Sequence, residues 1–279
     1  MKKIHFCSGL PRTGSTVLMN ILQQNPYTFT TGSCALPGLL KEHVLMKSRM
    51  REHFIAMSAE QADTAMYGFV KGGAQGWFDQ LTNKPIVISK NRSWSDLLHL
   101  FPESKIIVCV RDIRDIVESF EKFNGKIKAL HSFGNDNELY PAMTDREKFD
   151  YFFNEPNALS VSLNKELQRL MELFKKDSSR VKFIRYEDFL KHPVDTLKQV
   201  ENFLQIPAFN YDLNNIKQSE LVEHDHSYFR ERTSHTVQNS MIKWQEPKRL
   251  LSKDFHSNVI NNHKWFYEGF YPGVIENEY

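Results

Sequence analysis

Short apolar runs alternate with amphipathic stretches along most of the chain. Ile4 and Phe6 predict a short buried strand, and continuous apolar runs at Ile86–Ile88 and Ile106–Val110 predict two more. The run Ile106–Val110 is apolar throughout, as expected of a strand that is covered on both faces. Aromatic and β-branched residues predict two more strands, at Tyr27–Thr31 and Val181–Arg185. Strands that alternate with helices imply right-handed crossovers and a mostly parallel sheet. The pattern therefore predicts an α/β fold with a three-layer αβα arrangement.

Helical periodicity fills most of the sequence between these runs. We expect the glycine pair Gly72-Gly73 to interrupt the second of the two helices between the second and third strands. Residues 124–141 are rich in Gly and Asn and predict a mobile loop or lid. Apolar residues three or four apart predict helices at Val17–Leu22, Pro37 to about Ala56, Ala59 to about Leu81, Trp94–Phe101, Asp112–Phe123, Asn157–Lys176, Pro193–Leu204 and Lys253–Phe270.

Length and composition favour one domain without a membrane span. The 279 residues, 41% of them hydrophobic, suit a single domain over 1–279 with a helical insertion around 37–82. A basic loop plus helix is expected around 228–270. The net charge of +2 gives no argument for nucleic acid or membrane surfaces. The three cysteines lack metal-ligand spacing, so we expect no metal site and a reducing, cytoplasmic setting.

The segment Phe6–Leu18 joins the first strand to the first helix through a Gly/Pro turn. The first N–H groups of a helix have no partner inside it and lie at the positive end of the helix dipole. Ser15 and Thr16 add hydroxyl donors, Arg12 adds a charge, and Gly14 allows backbone to approach a ligand. The segment predicts an anion-binding loop, although Gly and Pro could also serve only as turn residues.

Two further strand ends carry residues suited to phosphate. Lys90 ends the third strand, and Arg111 ends the fourth, with Ser119 eight residues later on the following helix. A guanidinium binds phosphate with two parallel hydrogen bonds, and a Ser hydroxyl can be oriented. Carboxyl ends of parallel strands lie at one edge of a sheet, where ligands bind. We therefore expect these residues to meet the loop at one site.

Each of these residues also has a plainer interpretation. Lys90 could be a solvated strand end, and Arg111 could form a salt bridge with Asp112. Arg114 and Asp115 could form a surface ion pair that contributes little to stability.

A nucleoside triphosphate site is the nearest competitor. The P-loop motif GxxxxGK[ST] places Lys on the phosphates and Ser or Thr on magnesium. Here Gly9 and Gly14 keep the glycine spacing, but Ser15 stands where that Lys belongs. Asp112 is the one strand-end carboxylate suited to a metal. Magnesium chemistry is therefore disfavoured.

Three segments together resemble sulfotransferases that use 3′-phosphoadenosine-5′-phosphosulfate (PAPS). Pro11–Thr16 is similar to their 5′-phosphosulfate loop, and Val110–Asp115 followed by Ser119 to their 3′-phosphate motif. Tyr186-Glu187-Asp188 is similar to the family's YEDL segment. Their order and separation also agree, so the resemblance covers at least residues 4–204. The loop carries Arg12 in place of a Lys, and in this it resembles the bacterial and tyrosylprotein branches of the family more than the cytosolic small-molecule branch.

The resemblance implies a P-loop-like parallel α/β fold, PAPS as donor, 3′-phosphoadenosine-5′-phosphate (PAP) as product, and no metal. It implies that Arg12 and Lys90 act on the leaving group. Lys243 is expected to touch phosphate, although a solvated surface position explains it equally well. The donor-binding residues that the resemblance implies are Arg12, Thr13, Gly14, Ser15, Thr16, Val17, Arg111, Ser119, Tyr186 and Lys243.

The sequence departs from the family where the acceptor's base is expected. Arg92 stands where cytosolic relatives carry a catalytic His, and Gly32-Ser33-Cys34 lacks the Glu of tyrosylprotein relatives. Glu42 and His43, on the next predicted helix, are weak candidates for the base. The acceptor stays open among small molecules, carbohydrates and peptides. A P-loop kinase and a non-catalytic nucleotide-binding protein are the alternative functions.

Overall fold

A computed structural model describes most of the chain. Residues 43–51 and 125–141 lie outside the described part of the chain. The predicted loop at 124–141 and most of the predicted helix at 37–56 are therefore untested. Most of the predicted helix at 94–101 lies outside the described part as well. The described residues are 2–32, 36, 38–39, 42, 52, 57–90, 98, 100–124, 142–155, 158–175, 179–218 and 239–276.

Five parallel strands form the central sheet in the order β2-β3-β1-β4-β5. The fold class predicted from the sequence is therefore confirmed. All five carboxyl ends lie at one edge, and β1, in the centre, is flanked there by the ends of β3 and β4. The strands are β1 Lys3–Gly9, β2 Thr28–Thr31, β3 Ile86–Lys90, β4 Ile106–Val110 and β5 Val181–Arg185.

Helices cover both faces of the sheet. They are α1 Ser15–Leu22, α2 Ala59–Leu81, α3 Ile113–Asn124, α4 Asp145–Phe153, α5 Ala158–Lys175, α6 Tyr186–Lys191, α7 Pro193–Leu204, α8 Lys253–Asn262, α9 Lys264–Phe270 and α10 Pro272–Glu276.

Alternation along the strands divides the apolar core into two layers. Phe6 and Val108 face the layer packed against α2 to α5, α8 and α9. Cys7 and Cys109 face the other layer, against α1, α6 and α7, and both are buried free cysteines. Because successive side chains of a strand point to opposite faces, these apolar strands fill both layers.

Two predicted element boundaries are wrong. Helix α2 runs through Gly72 without a break. Ser58 caps its start through a capping box, and the buried Phe78 anchors its second half, which offsets the roughly 1 kcal/mol that each glycine costs. The predicted helix at 253–270 is divided at His263, where the backbone leaves the helical region.

Among the described residues, no helix is long and apolar enough to cross a membrane. Within the same residues, no group of three or more His, Cys, Asp or Glu side chains is arranged to hold a metal ion.

His5 on β1 should make stability depend on pH. Burial, followed by the charges of Lys105 and Lys3, lowers the pKa of His5 to about 4. The unfolded chain binds a proton at His5 below about pH 6.5, whereas the folded protein binds it only below about pH 4. The free energy of unfolding is therefore highest above pH 6.5 and decreases as the pH falls from about 6.5 to about 4. The loss should reach about 3 kcal/mol.

Denaturant unfolding of the wild type and His5→Leu at pH 7, 5 and 4 measures this contribution. The wild type should lose more unfolding free energy than the variant as the pH falls, whatever the constant offset caused by the substitution. Parallel pH profiles for the two proteins would contradict the assignment to His5.

Candidate functional site

The loop between β1 and α1 has a backbone that two glycines permit. Gly9 has φ 150°, and a Cβ there would lie 2.3 Å from the carbonyl oxygen of Cys109 on β4. Gly14 has φ 74° and caps α1, and Arg12 between them has φ 61°. Residues with a side chain rarely adopt such φ values, so this loop conformation costs free energy at any residue other than glycine. The loop therefore turns tightly at the centre of the sheet edge.

The first amide groups of α1 have no hydrogen-bond partner inside the helix. No side chain among the described residues caps the helix at Gly14. Thr13 is buried, and its hydroxyl donates to the carbonyl oxygen of Leu10 at 2.8 Å, which holds the loop closed. The contribution of Thr13 to a ligand is thus limited to its backbone. The arrangement leaves a helix N-terminus prepared for an anion.

Lys90 reaches the same helix turn from the end of β3. Its Nζ donates to Thr16 Oγ1 at 3.0 Å. The register explains the approach, since Lys90 lies opposite Cys7 and β1 leads directly into the loop. The structure therefore brings the predicted strand-end lysine to the predicted loop.

Arg111 and Ser119 reach the loop from the other side. Arg111 follows β4, and its Nη1 donates to the carbonyl oxygen of Arg12 at 2.9 Å. Ser119 lies on α3, and its Oγ accepts a hydrogen bond from Arg12 Nε at 3.0 Å. The eight-residue spacing thus places guanidinium and hydroxyl on one side of the loop, as predicted.

Tyr186 packs between the loop and Arg111. A Cβ at Gly14 would lie 2.9 Å from its ring. The guanidinium carbon of Arg111 lies 4.3 Å from the centre of the same ring, in cation–π contact. Tyr186 therefore contacts both the Pro11–Thr16 loop and the Val110–Asp115 segment, and its ring supports the Arg111 guanidinium.

Positive charge is concentrated around the loop. Burial, followed by the nearby charge of Arg111, lowers the pKa of Arg12. Arg111 Nε is buried and has no hydrogen-bond partner among the described residues. Since an unpaired buried donor is costly, this N–H group favours a ligand that supplies an acceptor, such as a phosphate oxygen. The residues present therefore fit phosphate groups.

The plainer interpretations of the Arg111–Asp115 segment are wrong. Asp112 pairs with Arg114 at 2.6 Å rather than with Arg111. Asp115 is buried and pairs with Arg249 of the C-terminal segment, so it forms no surface pair with Arg114. Burial and the neighbouring Asp112 raise the pKa of Asp115 to about 6. Because these partners hold both carboxylates, Arg111 stays directed to the loop.

The remaining predicted residues are less closely placed. Lys243 is exposed, two residues after Met241, whose N–H donates to the carbonyl oxygen of Leu213 at 2.8 Å. Its contact with phosphate stays a prediction. Glu42 is exposed, and His43 and Arg92 lie outside the described residues. The general base is therefore not identified.

Sequence reasoning missed three residues around this site. Tyr267 and Tyr271 donate to Asp112 and Glu187, and Arg249 pairs with Asp115. Their only sequence signals are an aromatic helical periodicity, which core packing explains, and a basic stretch, which solvent exposure explains. Pairing over more than 80 residues of chain cannot be inferred from either pattern.

Comparison with known proteins identifies the family. A profile of the Sulfotransferase family matches residues 5–211, which include the loop, Lys90, Arg111, Ser119 and Tyr186. The chain belongs to the sulfotransferase family. No curated protein compared with it gives a match.

Solved structures of sulfotransferases are similar to this chain, and one of them has a TM-score above 0.5. The chain is similar to a sulfotransferase domain from the curacin biosynthetic pathway, with TM-score 0.56 and 18% identity over 95% of this chain and 98% of that one. A sulfotransferase from Alicyclobacillus acidocaldarius is 17% identical over 76% of this chain and 84% of its own, with TM-score 0.46. A mouse sulfotransferase complexed with PAP is 16% identical over 75% and 61%, with TM-score 0.44. The first of these carries the likeness in fold.

Proposed function

We propose that this chain transfers a sulfuryl group from PAPS to a hydroxyl or amine of an acceptor. One observation carries the proposal: Arg12, Lys90 and Arg111 surround the uncapped N-terminus of α1 in a chain of the sulfotransferase family. A helix N-terminus ringed by cations favours a polyanionic ligand. PAPS carries phosphate at one end and phosphosulfate at the other.

The two ends of the donor would occupy the two sides of the loop. The backbone from Arg12 to Val17 would hold the 5′-phosphosulfate, with Ser15 and Thr16 adding hydroxyls. Arg111 and Ser119 would hold the 3′-phosphate, where the unpaired Nε of Arg111 supports the assignment. Tyr186 would lie beside the nucleotide, since its ring already packs against the loop.

The reaction would be an in-line displacement at sulfur. The acceptor oxygen or nitrogen forms a bond to sulfur while the bond from sulfur to the bridging oxygen breaks, and that electron pair leaves with the 5′-phosphate. The acceptor's proton passes to a base, whose contribution would be on the order of 10²–10⁴ in rate. PAP is the product.

Lys90 and Arg12 would stabilise the charge that develops on the leaving oxygen. Lys90 is held by Thr16 at the helix turn, and Arg12 by Ser119. Cations fixed before the reaction need little reorganisation in the transition state, and each such donor contributes about 10²–10³ in rate.

Sulfur-labelled PAPS tests this function directly. Incubation with hydroxyl and amine acceptors of the small-molecule, carbohydrate and peptide classes should move label to at least one of them and release PAP. Phosphoryl transfer from ATP with magnesium would instead favour a kinase. Binding of PAP without transfer to any acceptor would favour a non-catalytic nucleotide-binding protein.

Sulfuryl transfer should not require a divalent metal. The P-loop Lys is replaced by Ser15, and the charge on the donor would be offset by Arg12, Lys90 and helix amides. Excess chelator should leave the initial rate of label transfer unchanged. A complete loss that magnesium restores would contradict the proposed mechanism and support a kinase.

A further inference from the structure

Arg111 and Tyr186, which contact each other at the proposed donor site, are each followed in the sequence by a carboxylate. Two tyrosines near the C-terminus donate hydrogen bonds to these carboxylates. Tyr267 on α9 donates its hydroxyl hydrogen to Asp112 Oδ1 at 2.9 Å. Tyr271, four residues later, donates to Glu187 Oε2 at 2.8 Å. Asp112 follows Arg111, and Glu187 follows Tyr186.

The Tyr267–Asp112 contact is buried in the core. Tyr267 is fully buried, and Asp112 is 5% exposed. Burial by itself would raise the pKa of Asp112, but hydrogen bonds from Arg114, the charges of Arg114 and Arg249, and the Tyr267 hydroxyl lower it. Asp112 thus stays ionised and fixes the start of α3, where Arg114 N–H also donates to its Oδ1.

The Glu187 carboxylate joins the two strand ends. Its Oε1 lies 3.4 Å from the backbone nitrogen of Asp112, which donates to it, while its Oε2 accepts from Tyr271. The guanidinium of Arg185 stacks on the Tyr271 ring at 4.5 Å. Tyr267 and Tyr271 therefore contact the side chains of the residues that directly follow Arg111 and Tyr186.

We propose that Tyr267 and Tyr271 are positioning residues for the donor site. Tyr267 fixes the backbone at Asp112 and so the direction of the Arg111 guanidinium. Tyr271 fixes Glu187 and so the ring of Tyr186. The proposal rests on the proposed function, and it extends the site to the segment 264–271, which lies outside the residues matched by the family profile.

Removal of one hydroxyl at a time tests this role. Tyr267→Phe should weaken PAP binding about 5- to 20-fold in calorimetry while changing AMP binding less than about 2-fold, because AMP lacks the 3′-phosphate that Arg111 would bind. Tyr271→Phe should weaken both nucleotides to a similar degree, because the Tyr186 ring lies beside the shared part. Tyr151→Phe, at a buried tyrosine of α4 in the same apolar layer, is the matched control and should change neither.

Amide hydrogen exchange of the protein without nucleotide gives a second readout. Tyr267→Phe should speed exchange at residues 112–116, and Tyr271→Phe at 186–189, relative to Tyr151→Phe. Wild-type nucleotide affinities together with unchanged exchange would overturn the positioning role. An equal loss of PAP and AMP binding in Tyr267→Phe would also overturn it, because that result indicates general destabilisation.

Failure of the proposed function gives a different result. If the wild type does not bind PAP, the donor assignment fails, and the exchange experiment alone decides whether the tyrosines position the strand ends. Should Tyr267→Phe not fold, amide exchange at residues 186–189 in Tyr271→Phe carries the test, because Glu187 is only half-buried and tolerates the loss of a donor better.

Discussion

Replacing Arg12 or Lys90 by Ala is expected to lower the turnover number of sulfuryl transfer about 100-fold or more, with only a modest loss of nucleotide affinity. Both cations lie beside the helix turn that would receive the leaving phosphate. Interactions that strengthen only in the transition state change the turnover number more than the Michaelis constant. Steady-state kinetics with labelled PAPS measures both.

The double variant tests whether the two cations act on one oxygen. If they do, Arg12→Ala with Lys90→Ala should lose less activity than the product of the two single losses. Lys84→Ala is a matched control, because Lys84 lies just before β3 and its Nζ donates to the carbonyl oxygen of Thr28, away from the carboxyl edge. Near-wild-type turnover in Lys90→Ala would make Lys90 a solvated strand end and leave Arg12 as the candidate.

Replacing Arg111 by Ala should weaken PAP binding much more than it slows the chemical step. The side chain would lose a charge-assisted contact with the 3′-phosphate, which costs roughly 1.5–3 kcal/mol, or about 10- to 150-fold in affinity. The cation–π contact with Tyr186 would be lost as well. Calorimetry with PAP measures the affinity, and single-turnover transfer at saturating PAPS measures the chemical step.

A matched control separates this contact from a loss of overall charge. Arg146→Ala removes one positive charge from an exposed position on α4 and should leave PAP affinity unchanged. AMP affinity should fall less than PAP affinity in Arg111→Ala. Unchanged PAP affinity in that variant would remove Arg111 from the donor site.

The central sheet and the loop could be predicted because local pattern determines both. Apolar runs such as Ile106–Val110 are long enough to mark strands buried on both faces, and parallel pairing then brings their carboxyl ends together. Gly9, Lys90 and Arg111 lie at the ends of predicted strands or directly after them. A parallel sheet therefore places the loops that follow these strands side by side. The structure confirms that these strand ends meet, while their roles toward a donor stay predictions.

The supporting contacts could not be predicted because they join distant parts of the chain. Tyr267 and Asp112 are 155 residues apart, and the periodicity of α9 explains Tyr267 as a core residue without reference to Asp112. Helix α6, with six residues, is too short to give a periodic signal. At Gly72 the local pattern predicts a helix break that the structure does not contain, because tertiary packing of Phe78 outweighs the weak helix propensity of glycine.

Calorimetric titration of the wild type with PAP, AMP and magnesium ATP tests whether a PAPS site lies at the carboxyl edge of the sheet. We expect PAP to bind in the presence of chelator, and removal of the 3′-phosphate to weaken binding at least about 10-fold. Equal affinity for PAP and AMP, or tighter binding of ATP that depends on magnesium, would contradict a PAPS site at this edge of the sheet.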